Sequence, residues 1–253
     1  MKPKYCDLLP IPDILSAKSF LCIQPHPDDM EIGAGATLAR LSKAGANIIY
    51  LTITDGSVGT YDPDLKIENL VETRRGETEK SGSLIGVKDF LWLDYPDGGT
   101  LPLEEVRSDI THIIRKYRPE AVMVCDPWLP YEAHSDHTKT GLAAAEACLL
   151  SGMPNFCPAD LQEGLKPYSP DMVAFYYTAY PNTFIDVSQS WDIKLEAIDC
   201  HKSQFSGVKA DKLKSLLTAR AESWSDDQDT LYVEALKVLS IEHLHIIEDT
   251  WHC

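Results

Sequence analysis

Apolar residues occur along this chain in two alternating patterns. Short, nearly continuous blocks at Ser19 to Gln24, Ala46 to Thr54, Phe90 to Leu93 and Ala121 to Cys125 have the length and flanking turn residues of strands covered on both faces. Longer stretches at about Glu31 to Ala44, Ile67 to Ile85, Leu103 to Tyr117 and Ser135 to Leu150 repeat their apolar positions at helical spacing. Strand alternating with helix predicts an α/β fold: a Rossmann-like, three-layer arrangement around a mainly parallel sheet, with a C-terminal extension. Gly152 to Pro170, rich in proline, glycine and polar residues, predicts a long surface excursion. After it, strands are expected at Met172 to Thr178 and Thr183 to Val187, and helices at Trp191 to His201 and Thr230 to Ser240. No repeat or linker interrupts this order. The chain is therefore read as one domain over 1–253, a core of 1–151 and a portion over 152–253 that helps to wall the pocket.

Composition narrows the possible partners. A formal net charge of -16 repels phosphate backbones and anionic lipid, which excludes nucleic acid and membrane surfaces as expected partners. No apolar run approaches the roughly 18 residues of a membrane span, and the start at Lys2 and Lys4 is followed by prolines and charges rather than by an apolar leader. Cys6, Cys22, Cys125, Cys148, Cys157, Cys200 and Cys253 are scattered and never two residues apart. That spacing predicts neither a disulfide framework nor a thiolate zinc site, and it fits a reducing, cytoplasmic setting.

The chemistry gathers where the fold class would place it. Ligands of open α/β sheets sit beyond the carboxyl ends of the strands, so loops starting near Pro25, Asp55, Asp94 and Asp126 should converge, and each carries an aspartate. Two segments at such ends, Pro25-His26-Pro27-Asp28-Asp29 and Ala133-His134-Ser135-Asp136-His137, offer imidazole and carboxylate groups. A catalytic zinc takes three N/O ligands and leaves one position open, commonly with two histidines and one carboxylate. His134 and His137, three apart, share a helix face. Asp28 and Asp29 point in different directions, so one can bind metal while the other reaches its water. Singly, a histidine at a helix start or an Asp-Asp turn is a cap or a backbone hydrogen-bonder; the joint placement carries the metal reading.

The Pro25–Asp29 segment, the helix start Gly33-Ala34-Gly35-Ala36, the stretch Arg74-Arg75-Gly76-Glu77 leading to Gly86-Val87, and the segment Ala133–His137 together resemble the PIG-L (LmbE-like) family of zinc-dependent N-acetylglucosamine deacetylases. The run Asp126 to His134 and His201-Lys202-Ser203-Gln204-Phe205 resemble its diacetylchitobiose deacetylase branch. The resemblance implies one Zn²⁺ per chain held by His26, Asp29 and His137, with other divalent ions compatible. It implies Asp28 as general base and His134 as the group that stabilises the tetrahedral intermediate and protonates the leaving nitrogen. Asp136 is then an orienting partner for His134, and Arg74 and Asp97 are substrate contacts. Trp128 and Tyr131 are candidates to stack on a sugar ring. Glu132 departs from the family, because thiol-cofactor biosynthesis members often carry tyrosine or arginine there. The implied substrate is a small amino sugar, the implied products are acetate and a free amine, and the implied assembly is a homo-oligomer, a trimer or hexamer.

Three rivals remain at this level. A dinucleotide-binding oxidoreductase would use Gly33-x-Gly35 and Asp55, but Leu38 replaces the third glycine and nine residues separate the strand from the glycines. A non-catalytic metal- or carbohydrate-binding protein would not need both Asp28 and His134. A thiol-conjugate amidase would share the same metal chemistry.

Overall fold

The computed structural model describes residues 8–99, 101–225, 230–245, 247 and 249–253, so Lys2, Lys4 and Cys6 lie outside the described residues. Seven strands form one sheet: β1 Ser19–Gln24, β2 Asn47–Thr54, β3 Asp89–Tyr95, β4 Ala121–Cys125, β5 Met172–Tyr176, β6 Thr183–Asp186 and β7 Val233–Ser240, in the order β3-β2-β1-β4-β5-β7-β6. The first five are mutually parallel, whereas β7 runs antiparallel to β5 and β6 antiparallel to β7. Strands β4 and β5 are buried at every position, which is why they read as unbroken apolar runs. Helices α1 Asp29–Lys43 and α2 Ile67–Ile85 pack together, and α3 Leu103–Tyr117 packs on α4 Ser135–Leu150, so the two pairs form separate helical layers. The chain winds outward from β1 to β3 and then returns to place β4 on the other side of β1. That reversal opens a crevice between the carboxyl ends of β1 and β4, where the two His/Asp segments emerge.

Beyond α4 come α5 Ala159–Gln162, α6 Trp191–Ile198 and α7 Val208–Ser223. The segment after Gly152 is an excursion, but an anchored one. The buried Arg115 donates to the carbonyls of Ser151, Met153, Phe156 and Cys157 and to Asp160 Oδ2. The five cysteines Cys22, Cys125, Cys148, Cys157 and Cys200 are free thiols. Among the described residues no helix is long and apolar enough to cross a membrane.

The helix expected over Thr230 to Ser240 is instead β7. Glu234, Ala235, Leu236 and Lys237 favour a helix locally, yet every position of β7 is buried, and a helix there would have no polar face to turn outward. Glu234 tolerates burial because Lys194 Nζ lies 2.5 Å from its Oε1. Its carboxylate also accepts from the amides of Ala36 at 3.4 Å and Thr37 at 2.7 Å. These amides follow a break in α1 at Ala34, whose φ of -148° leaves the helical range, and Lys194 Nζ also takes the Ile32 carbonyl at 2.8 Å. A buried ion pair from α6 and β7 thus splices the helix that carries Asp29 at its first position. Helix α7 had no clear signal in the sequence because it buries little of itself, chiefly Ala210 and Ala221.

Gly33 lies against the Tyr176 ring so closely that a Cβ would collide with it, which explains the glycine by helix-to-sheet packing. Asp55, the ribose contact of the oxidoreductase reading, has Oδ1 occupied by the amides of Ser57 and Asp97. Lys194→Met should strand the Glu234 carboxylate and cost about 3 kcal/mol or more in denaturant-induced unfolding. Unchanged stability would remove the pair from the forces that hold α1.

Candidate metal centre and active site

The turn after β1 is braced from beneath. Buried Gln24 donates to Thr52 Oγ1 at 2.9 Å and accepts from the Met30 amide at 3.1 Å. Within the turn Asp28 has φ 131°, a conformation costly for any residue with a side chain and of the kind that collects at functional sites. Arg74, from α2, holds it there, donating to the carbonyls of Gly56 at 2.8 Å and Pro27 at 2.9 Å and to Asp28 Oδ2 at 3.3 Å. Arg74, the expected sugar contact, is thus buried and engaged through both terminal nitrogens, while its buried Nε has no hydrogen-bond partner.

Asp29 joins the two segments. Its Oδ2 accepts from the His26 amide at 2.9 Å and lies 3.2 Å from His26 Nδ1, while its Oδ1 lies 3.4 Å from His137 Nε2. His26 Nε2 faces Asp97 Oδ1 at 3.1 Å and Asp136 Oδ2 at 3.5 Å. His134, the N-cap of α4, brings its ring to 4.5 Å from that of His26 and 5.1 Å from that of His137. Among the described residues, two sets have donor atoms that all converge within 4.8 Å: His26, His134 and His137, and His26, Asp97, His134 and Asp136. Asp29 belongs to neither set, although it touches both His26 and His137. Asp136 makes no hydrogen bond to His134; it accepts from the Gly98 amide at 2.9 Å and turns its charge toward His26.

The electrostatics favour a cation at this point. Burial lowers the His26 pKa, but the adjacent carboxylates of Asp136, Asp29 and Asp97 overcome that and raise it to about 12. Burial works to raise Asp29, yet His137 and His26 pull it well below the usual carboxylate range. Asp28 is pushed up to about 6 by burial, opposed chiefly by Arg74. The His134 pKa is lowered by burial and by the neighbouring imidazoles of His26 and His137. The buried atoms His26 Nε2 and His137 Nδ1 have no aligned hydrogen bond. Imidazole nitrogens that face surplus carboxylates without an aligned hydrogen bond match the donor chemistry of a divalent metal, so the residues fit such a group.

Tyr177 and Arg220 escaped the sequence reading, and Glu132 was noted there without a role. Glu132 Oε2 stands 3.3 Å from His137 Nδ1 and its Oε1 accepts from the His134 amide at 2.8 Å, a carboxylate placed to orient both rings. Tyr177, just past β5 with φ 55°, lies parallel to the His137 ring at 6.0 Å and donates to the Asp29 carbonyl at 3.3 Å. Its position beyond the carboxyl end of a parallel strand was the available signal. Arg220, on α7, lines a cavity of about 360 Å³ with His137, Glu132, Tyr177, Ile32 and Leu129. Trp128 lies elsewhere, lining a separate cavity of about 380 Å³ with Phe175, Tyr180 and Trp251, and Tyr131 is fully exposed. His201 is buried behind α1, 3.0 Å from Ser81 Oγ and 3.5 Å from Glu31 Oε2.

A mostly parallel sheet with a His/Asp cluster at its switch point defines a Rossmann-like protein with a candidate metal centre. The model of the PIG-L family, GlcNAc-PI de-N-acetylase, matches residues 21–148. The chain is 40% identical over 229 residues to diacetylchitobiose deacetylase of Thermococcus kodakarensis, covering 90% of this chain and 86% of that one. The chain belongs to the PIG-L family. The solved N,N'-diacetylchitobiose deacetylase of Pyrococcus horikoshii, complexed with its inhibitor MPG, superposes with a TM-score of 0.87 at 42% identity, covering 92% of this chain and 89% of that one. GalB, the 4-carboxy-2-hydroxymuconate hydratase of Pseudomonas putida KT2440, shares the fold at a TM-score of 0.72 and 20% identity, with 87% and 95% covered.

His137→Ala should abolish stoichiometric metal in the purified protein, and Glu132→Gln should weaken metal affinity roughly tenfold to a hundredfold, as loss of a ligand-orienting carboxylate does. Metal analysis and chelator competition measure both. Full occupancy in His137→Ala would remove that residue from the ligand set.

Proposed function

We propose that this protein is a zinc-dependent deacetylase that hydrolyses the N-acetyl group of an N-acetylglucosamine-containing sugar of the diacetylchitobiose type, giving acetate and a free amino sugar. The observation that carries the reading is a cation-seeking His/Asp cluster at the switch point with a strained, buried carboxylate beside it, in a chain 40% identical to a diacetylchitobiose deacetylase over most of its length. In this reading His26, Asp29 and His137 hold the zinc, with Asp97 and Asp136 around His26. Bound there, the metal would supply an activated water near neutral pH and polarise the acetyl carbonyl.

The remaining work belongs to the chain. Asp28, raised by burial yet kept in place by Arg74, accepts the proton of the attacking water. His134, exposed at the start of α4 and 4.5 Å from the His26 ring, donates a hydrogen bond to the developing oxyanion and a proton to the departing nitrogen. Glu132 and Asp136 fix the rings and loops around these groups. We extend the reading to a single-domain, cytoplasmic homo-oligomer, a trimer or hexamer; the exposed aromatics Trp128, Tyr131, Tyr180 and Trp251 suit contact between copies.

Zinc-loaded protein should release acetate from diacetylchitobiose, and a chelator should stop it reversibly. Asp28→Asn should retain zinc and lose activity by about 10² or more, the scale of a missing general base. Undiminished turnover in the zinc-loaded variant would remove Asp28 from the mechanism, and absence of acetate release from wild type with bound zinc would overturn the deacetylase.

A further inference from the structure

Arg74 and Asp97, the groups expected to grip the sugar, already make contacts within the protein, Arg74 keeping only its Nε without a hydrogen-bond partner. Both terminal nitrogens of Arg74 donate within the protein, and Asp97 accepts from the Val58 amide through Oδ2 while Oδ1 faces His26. Open volume beside the metal cluster lies on another side, in the cavity of about 360 Å³ that His137 shares with Arg220. A pocket of that size holds more than an acetamide group. Its walls are Ile32, Leu129 and Tyr177, with Glu132 and Arg220 as its charged members.

Arg220 is the cation of this cavity, and among the described residues no carboxylate pairs with it. Its guanidinium is stacked 4.7 Å from the Trp224 ring, which limits the freedom it would otherwise lose on binding. A basic residue in the last turn of a helix commonly does no more than complement the helix dipole. Here it also looks into the cavity that His137 lines. A donor (Arg220) and an acceptor (Glu132) over apolar walls suit neutral hydroxyls. An anionic substituent would meet Glu132 as well as the carboxylates around His26.

We propose that Arg220 is a specificity residue that hydrogen-bonds the hydroxyls of a second sugar unit, so that the site prefers a disaccharide to the single N-acetylated sugar. The assignment rests on the deacetylase reading for the substrate's position and is tested without turnover. Zinc-loaded Asp28→Asn protein is titrated calorimetrically with diacetylchitobiose and with N-acetylglucosamine, alone and with Arg220→Gln or Arg220→Lys added. Arg220→Gln should weaken the disaccharide about tenfold, leave the monosaccharide within about twofold, and leave zinc content unchanged, with Arg220→Lys in between. Equal weakening of both sugars, or of neither, overturns the role of Arg220 while the deacetylase stands. Failure of the disaccharide to bind overturns both readings. Arg220-dependent binding of the disaccharide in a protein whose wild type releases no acetate sustains the residue and overturns the reaction.

Discussion

The crowding of buried carboxylates around one imidazole is the constraint to which the rest of the molecule answers. Asp29, Asp97 and Asp136 all approach His26 within 3.5 Å, in a protein that already carries a net charge of -16. Like charges this close in a low-dielectric crevice repel strongly unless a cation or a proton sits among them. The imidazole therefore clings to its proton, and the same field would favour a divalent metal in place of it. Asp28 is the exception because it has a private counter-charge. Arg74 lies on its far side, so this carboxylate stays separate from the ligand group instead of merging with it.

Separating two neighbouring aspartates requires backbone geometry as well as charge. Asp28 can point away from Asp29 only because the chain turns through φ 131° between them. The strain is held by what surrounds it: Gln24 below, the carbonyl contacts of Arg74 beside it, and α1 above. Helix α1 is itself broken at Ala34 and repaired by Lys194 and Glu234, residues about 160 to 200 positions further along the chain. The C-terminal portion thus supports the first motif from a distance, in addition to lining the cavity with Tyr177 and Arg220.

That division explains what could be read from the sequence. Strands β1 and β4, helices α2, α3 and α4, and both His/Asp segments were legible, because each is set by a periodicity or a spacing within a short window. Strand β7 was misread, since its Glu and Lys are tolerated by partners on α1, α6 and the C-terminal residues, none of them visible locally. Arg74 was recognised as part of the site, but its contacts with Gly56, Pro27 and Asp28 were not, because sequence cannot tell which way a helical arginine points. Tyr177 and Arg220 are conventional residues in unremarkable local contexts, and only the fold makes them neighbours of His137; Glu132 was noticed beside the second motif, but not its contact with His137.

The same sheet carries a hydratase at 20% identity, so the architecture alone does not choose a reaction. The choice is made at the crevice by which groups are free. Arg74 and Asp97 make contacts within the acid cluster, and the outer cavity adjoins that cluster on the His137 side. Residues that build the centre come mainly from the loops after β1 and β4, while two that face the open volume, Tyr177 and Arg220, come from the later part of the chain. Of these two, Tyr177 also holds the Asp29 carbonyl and stacks on His137, so the later part of the chain both braces the His/Asp cluster and walls the volume beside it.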